Sequence, residues 1–227
     1  KRSQTSHSCH QRRTIHPWHW LCIANHRASF KYPGYPSGGG RLSTPRIIGG
    51  KARGIRLETV PGDSTRPITD RVKEALFNIL SSDIQDASFL DLFGGTGSVG
   101  IEALSRGARF CLFLEINEKA LATIKYNLEK TRTSDHGHVI RMDALKYLSM
   151  PCKEAFDYIY VAPPQYKQIW LNVLKLLDNN MSLLSDDGWV VVQVHPVEYQ
   201  ALELVNLVEF DQRKYGSTLL VFYEKRV

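Results

Sequence analysis

Carboxylates, glycines and prolines fall in this 227-residue sequence at spacings with chemical consequences. In Leu90-Asp91-Leu92-Phe93-Gly94-Gly95-Thr96-Gly97-Ser98-Val99-Gly100 the glycines let a backbone approach a ligand and turn tightly into a helix. Gly95-x-Gly97-x-x-Gly100 is, by spacing alone, equally a dinucleotide fingerprint. Asp91, just ahead of the loop, would repel a pyrophosphate and attract an ammonium group. Glu115 ends the next apolar run, where a carboxylate accepts hydrogen bonds from both hydroxyls of a ribose. An ammonium and a ribose on one ligand fit an adenosyl amino acid better than a dinucleotide. Asp143-Ala144 follows a third apolar run, and Asp143 either accepts from an adenine amino group, caps a helix over 144–148, or does both. Val161-Ala162-Pro163-Pro164-Gln165-Tyr166 puts two prolines after a fourth run; their fixed φ makes a stiff bend that cannot continue a sheet ladder. His195, before Pro196, reads either as a general base or as a structural strand-end histidine.

Alternating elements position these groups. Thr69 or Asp70 caps a helix whose Val72, Ala75, Leu76, Ile79 and Leu80 recur at helical spacing. Phe89–Leu92 reads as a strand and Val99–Arg106 as a helix stopped by Gly107. Phe110–Glu115 is a strand, and Asn117 caps a helix carrying Ala120, Leu121, Ile124 and Leu128. Val139–Arg141 and Tyr158–Val161 are strands, followed by a helix with Trp170, Val173, Leu174 and Leu177 and by strand Trp189–Val194. Val208–Lys214 and Ser217–Glu224, around Tyr215-Gly216, read as an antiparallel hairpin. Upstream, Arg46–Gly50 and Gly54–Val60 read as two short strands around a Lys51-Ala52-Arg53 turn. The alternation predicts an α/β fold with a mostly parallel sheet covered on both faces.

Charge is unevenly distributed. Residues 1–46 hold eight Lys or Arg and no acid, so the formal charge of +6 belongs to this leader and the remainder is slightly acidic. No apolar periodicity runs through residues 1–45, which are expected to be a disordered leader and linker. The acid-free, Arg- and Ser-rich composition is that of an organelle transit peptide. Nothing orders the five leader histidines into a metal tract, and Cys9, Cys22, Cys111 and Cys152 form no CxxC pair, so no metal is expected. Cys111 and Cys152 read as small buried thiols. No apolar run reaches the roughly 18 residues that would span a bilayer.

The Pro163-Pro164 bend resembles the (Asp/Asn)-Pro-Pro-(Phe/Tyr) motif of amino methyltransferases. Together with Arg46-Ile47-Ile48-Gly49-Gly50, Arg66-Pro67-Ile68-Thr69-Asp70-Arg71-Val72-Lys73-Glu74-Ala75-Leu76-Phe77-Asn78 and Asp91–Gly97, the chain from Arg46 onward resembles the RsmD family, which methylates guanine N2 in small-subunit ribosomal RNA. The resemblance implies a class I, Rossmann-like S-adenosylmethionine-dependent methyltransferase fold with a seven-stranded sheet over residues 66–227, preceded by a hairpin extension over 46–65. It implies S-adenosylmethionine as cofactor, held by Thr69 and the loop before it, Asp91, Phe93, Gly95, Thr96, Gly97, Glu115, Ile116, Asp143 and Ala144. Pro163, Pro164, Gln165 and Tyr166 would form the base pocket and carry catalysis. Arg46, Lys51, Arg53 and Arg56 would contact RNA phosphates, while Arg66 and Arg71 either serve the cofactor carboxylate or stay structural. The implied partner is small-subunit ribosomal RNA or the assembling subunit, met by a monomer without membrane or metal. Ala162 stands where the motif has Asp or Asn, and Gln165 where the aromatic usually is. Members of the photosynthetic lineage with Ala-Pro-Pro-Gln-Tyr are similar here, which points to the chloroplast, with the mitochondrion as the alternative. Two other readings remain open at this point: an RNA-binding ribosome-assembly factor that has lost catalysis, suggested by Ala162, and an NAD-dependent oxidoreductase, suggested only by the glycine spacing.

Overall fold

The computed structural model describes residues 44–62, 68–151, 154–165 and 167–226. The leader expected over residues 1–45 lies outside them apart from its last two residues, as do Arg66, Cys152 and Tyr166. Seven strands form one sheet: β1 (Ser88–Asp91), β2 (Phe110–Glu115), β3 (Gly137–Arg141), β4 (Phe156–Val161), β5 (Leu184–Val194), β6 (Leu207–Tyr215) and β7 (Thr218–Lys225). Their spatial order is β3-β2-β1-β4-β5-β7-β6. The first five are mutually parallel, and β7 inserts antiparallel between β5 and β6. The expected C-terminal hairpin is thus present, folded back so that its second strand pairs with the parallel sheet.

Among the described residues five α-helices cover the faces: α1 (Asp70–Leu80), α2 (Ser98–Ser105), α3 (Glu118–Thr131), α4 (Ala144–Leu148) and α5 (Ile169–Asn179). Alternation along each strand divides the core. Phe89, Cys111, Phe113, Tyr158 and Tyr160 face α1, α2 and α3, whereas Leu90, Leu112, Leu114, Ile159 and Val161 face α4 and α5. Asn117 accepts from the amides of Lys119 and Ala120 to start α3, and Gly107 leaves α2 at φ +107°.

Three expectations need correction. The buried stripe of α1 is Val72, Lys73, Leu76, Phe77 and Leu80, with Ala75 and Ile79 only half-buried. A lysine enters the core because a buried carboxylate, Glu102, waits there. Strand β5 starts at Leu184 rather than Trp189, because its pairing with β4 jumps from Phe156↔Leu184 to Tyr158↔Trp189 and so accommodates the polar Ser185-Asp186-Asp187.

Finally, the two strands expected over 46–60 reduce to one antiparallel bridge, Arg46↔Arg56. Ile47 N, Gly54 N and Leu57 N still bond across the arm, to Ile55 O, Ile47 O and Pro45 O, but other amides go to α2. Ile48 N and Gly49 N donate to the Glu102 carboxylate (2.8 and 2.7 Å), and from the turn Lys51 N donates to Ser105 O (2.7 Å) and Ala52 N to Ser105 Oγ (2.9 Å). Ile47, Ala52 and Leu57 join the α1–α3 core, so this arm is built into the domain rather than appended to it.

Candidate active site

Strand order reverses at β1, whose neighbours are β2 and β4, and open α/β sheets bind ligands outside the carboxyl ends of strands at such a switch point. Asp91 ends β1, Glu115 ends β2, Asp143 follows β3 and Ala162-Pro163 follows β4, so all of these sequence-predicted positions share one sheet edge.

The glycine loop is held from below. Leu92 N donates to Tyr160 O and Gly94 N to Leu114 O, which fixes the loop between β4 and β2. Gly95 (φ +54°) and Gly97 (φ +77°) adopt the left-handed conformation that glycine tolerates. Their surroundings differ: a Cβ on Gly97 would lie 3.1 Å from Ile101, while one on Gly95 would meet nothing nearer than Phe93 O at 3.9 Å. Gly95 is therefore the point where a ligand has room. Gly100 is a packing glycine, since a Cβ there would stand 2.3 Å from the Phe113 ring.

Asp91 is 2% exposed and makes no ion pair with a described residue. Burial pushes its carboxyl up to about 7, against the backbone amides of Phe93 and Gly100, with Glu115 adding repulsion. A buried carboxylate short of a cation is what an ammonium-bearing ligand would relieve. Glu115 accepts from Gly95 N through Oε2 (2.9 Å) and from Ile116 N and Asn117 N through Oε1 (2.7 and 2.9 Å), which aims the carboxylate along the crevice and leaves lone pairs for hydroxyl donors. Phe93, Ile116, Asp143 and Ala144 line the same crevice. The Ile116 side chain is 61% exposed above it, an apolar surface for a planar base.

Asp143 Oδ1 accepts from Lys146 N at 2.9 Å, so the helix-cap role holds and its second oxygen stays available. Thr69 caps α1 through Val72 N at 3.4 Å; most of the loop before it (63–67) lies outside the described residues. Pro163 is buried, Pro164 and Gln165 are exposed, and Ala162 packs against the α1–α3 core. No described residue donates to the Pro163 carbonyl. His195 Nδ1 accepts from Val197 N at 3.2 Å, a turn-holding role.

The basic arm is only partly free. Arg46 pairs with Asp70 at 2.8 Å, whereas Lys51, Arg53 and Arg56 are exposed and form no ion pair with a described residue. The arm's turn rests on the C-terminal end of α2, about 12 Å of helix away from the glycine loop at 1.5 Å per residue.

Sequence reasoning missed Leu92, Leu114 and Met142, which complete the crevice lining, and two buried polar residues that hold its frame. Asn127 donates to Thr96 O (2.9 Å) and Glu58 O (3.1 Å) and accepts from Glu58 N (2.8 Å), joining the glycine loop to the arm. Glu102 binds the arm amides, Lys73 Nζ (3.3 Å) and Arg106 Nε (2.8 Å). The available signal was a polar residue on an otherwise buried helical face.

Residues 45–224 match the family model described as Conserved hypothetical protein 95. The chain is 39% identical over 184 residues to YlbH of Bacillus subtilis strain 168, provisionally named an rRNA methyltransferase, covering 80% of this chain and 99% of that protein. It is 35% identical over 154 residues to the Ribosomal RNA small subunit methyltransferase D of Escherichia coli K12, covering 68% and 72%. Among solved structures, yhhF of Escherichia coli, provisionally named a methyltransferase, superposes with a TM-score of 0.72 at 30% identity, covering 80% of this chain and 98% of that one. With its sheet order, its carboxylate-flanked glycine loop and these relatives, the chain belongs to the Conserved hypothetical protein 95 family, the RsmD-like family of class I methyltransferases.

Proposed function

We propose that this chain transfers a methyl group from S-adenosylmethionine to the exocyclic N2 of a guanine in small-subunit ribosomal RNA, in an organelle ribosome. The observation that carries the reading is what meets at the carboxyl edge around the β1 switch point: Asp91 at the end of β1, the crevice lined by Glu115, Ile116 and Asp143, and the rigid Pro163-Pro164 bend after β4. The names of the relatives support ribosomal RNA as substrate class, and the acid-free leader supports an organelle, the chloroplast first.

The bound cofactor supplies an electrophilic methyl on a sulfonium. The chain's residues do the rest by placement. Asp91 holds the ammonium end, Glu115 the ribose, and Ile116 covers the adenine beside Asp143. A guanine amino lone pair is delocalised into the ring and is a poor nucleophile. Acceptors aimed at its protons favour rehybridisation and keep the nitrogen in line with the methyl. The Pro163 carbonyl is one such acceptor, and the exposed Gln165 amide oxygen takes the role that Ala162 cannot fill. Tyr166 offers a face for the base to stack on. The guanine must be unpaired or flipped out to reach this pocket.

Ala162 favours a second reading, an RNA-binding assembly factor without catalysis. Single-turnover methyl transfer to naked and assembled small-subunit RNA separates the two. Transfer by the wild type, with a loss of about 10²-fold or more in Gln165→Ala, is the expected result. Gln165→Ala and Tyr166→Ala variants that both match the wild-type rate remove the assignment of the pocket. No transfer at all leaves the assembly factor.

A further inference from the structure

At the opposite, amino edge of the sheet a concavity of about 450 Å³ is lined by Asp83, Gln85, Asp86, Ala87, Asp157, Tyr158, Asp187 and Trp189. Four aspartates and no Lys, Arg or His line it. Asp157 is fixed at the back, accepting from Ser88 N, Ser88 Oγ and Ser185 Oγ, each at 2.8 Å. Asp83, Asp86 and Asp187 stand exposed around it. Tyr158 is 94% buried and lines the cavity, and no described residue hydrogen-bonds its hydroxyl. Trp189 meets Tyr158 edge-on at 6.1 Å and leans on Phe210 at 5.0 Å, whose ring is 40% exposed at the bulge of β6.

We propose that this cavity is a docking site for arginine side chains carried on a basic segment of a partner protein. Charge selects the class of occupant: RNA phosphates would be repelled by four carboxylates. A chelated metal does not fit, because no three acidic, His or Cys side chains among the described residues converge closely enough to hold one. A guanidinium does fit. It is planar, stacks on aromatic faces, and pairs through several N–H groups with separated carboxylates, while the Tyr158 hydroxyl accepts one more. The volume lies within the roughly 300–1,000 Å³ of cavities that enclose a ligand. The site lies across the sheet from the cofactor crevice, so it does not depend on methyl transfer.

The test uses the full chain and fluorescein-labelled hexa-arginine, with hexa-lysine as comparator. The wild type is expected to bind hexa-arginine more tightly than hexa-lysine, and the Asp83→Asn/Asp187→Asn double variant to lose about tenfold in affinity. An unchanged affinity for S-adenosylhomocysteine and an unchanged melting temperature show that the double variant is folded. Equal hexa-arginine affinity in wild type and double variant overturns the site. Hexa-lysine binding as tightly as hexa-arginine overturns the aromatic part of the recognition. A small-subunit RNA fragment that loses affinity in the double variant makes the surface an RNA contact and overturns the protein partner.

Discussion

Glu102→Gln strikes the point where the arm, α1 and α2 meet. Glu102 is fully buried and its two oxygens serve Ile48 N, Gly49 N, Arg106 Nε and Lys73 Nζ. A glutamine keeps the volume but offers one acceptor oxygen, and its amide hydrogens face donors. Lys73 is also fully buried and keeps only its bond to Arg46 O at 2.6 Å. Removing one member of a buried ion pair costs about 3–5 kcal/mol, and each orphaned amide about 1–3 kcal/mol, with overlap between the two. A loss near 4 kcal/mol follows, or about 8–16 °C in melting temperature for a domain of this size.

The pH dependence carries the sign. Burial lowers the Lys73 ammonium below 10.5, and Glu102 is the strongest opposing influence. Without that carboxylate the folded pKa falls further. Between the folded pKa and 10.5 the unfolded chain binds more protons, so stability rises with pH there. In the variant this rise begins at lower pH than in the wild type. Urea unfolding at a series of pH values measures both effects, and Lys73→Met/Glu102→Gln should recover part of the loss. A variant within about 1 kcal/mol of the wild type, or one whose stability falls with pH, refutes the account of this network.

Other predictions concern the crevice and the arm. Gly95→Ala should cost only about 1–2 kcal/mol, the price of a left-handed alanine, yet weaken S-adenosylhomocysteine binding at least about tenfold in calorimetry; unchanged binding contradicts the ligand path. Asp91 is raised from 3.8 to about 7 when folded, so its contribution to stability is lost as pH rises through about 7, a change of about 4 kcal/mol. Ligand-free Asp91→Asn should be free of that fall in pH-dependent melts, and wild-type affinity for S-adenosylhomocysteine should rise as pH passes about 7; a flat wild-type profile contradicts both. Arg53→Ala and Arg56→Ala should each flatten the salt dependence of RNA affinity by about one unit of log–log slope, and an unchanged slope removes them from the RNA interface.

The parallel sheet was legible because its strands are apolar on both faces and bounded by turns, and because Asp91, Glu115 and Asp143 sit where those runs end. Position along a strand fixes which edge a residue reaches, so three separate motifs fall on one edge by sequence position alone. The arm was legible as a turn between paired segments, but not in its docking on α2 and α3. Arg46–Gly50 and Gly54–Val60 do bond to each other, as in Gly54 N to Ile47 O, but Ile48 N and Gly49 N go to Glu102 and Glu58 N to Asn127, more than 50 residues away in sequence. Lys73 and Glu102 are buried through each other and Asn127 through Thr96 and Glu58; beyond a polar residue on an otherwise buried helical face, the sequence carries no local mark of which partners they find. Tertiary contacts likewise rotated the α1 stripe toward Lys73 and Phe77, the latter lying 5.1 Å beneath the Arg106 guanidinium.

The central assignment meets its most direct test in nucleoside mass analysis of small-subunit ribosomal RNA that lacks this modification, incubated with the protein and methyl-labelled S-adenosylmethionine. One labelled N2-methylguanosine per RNA is the predicted product. Label on another nucleoside, or none while the cofactor binds, contradicts the assignment.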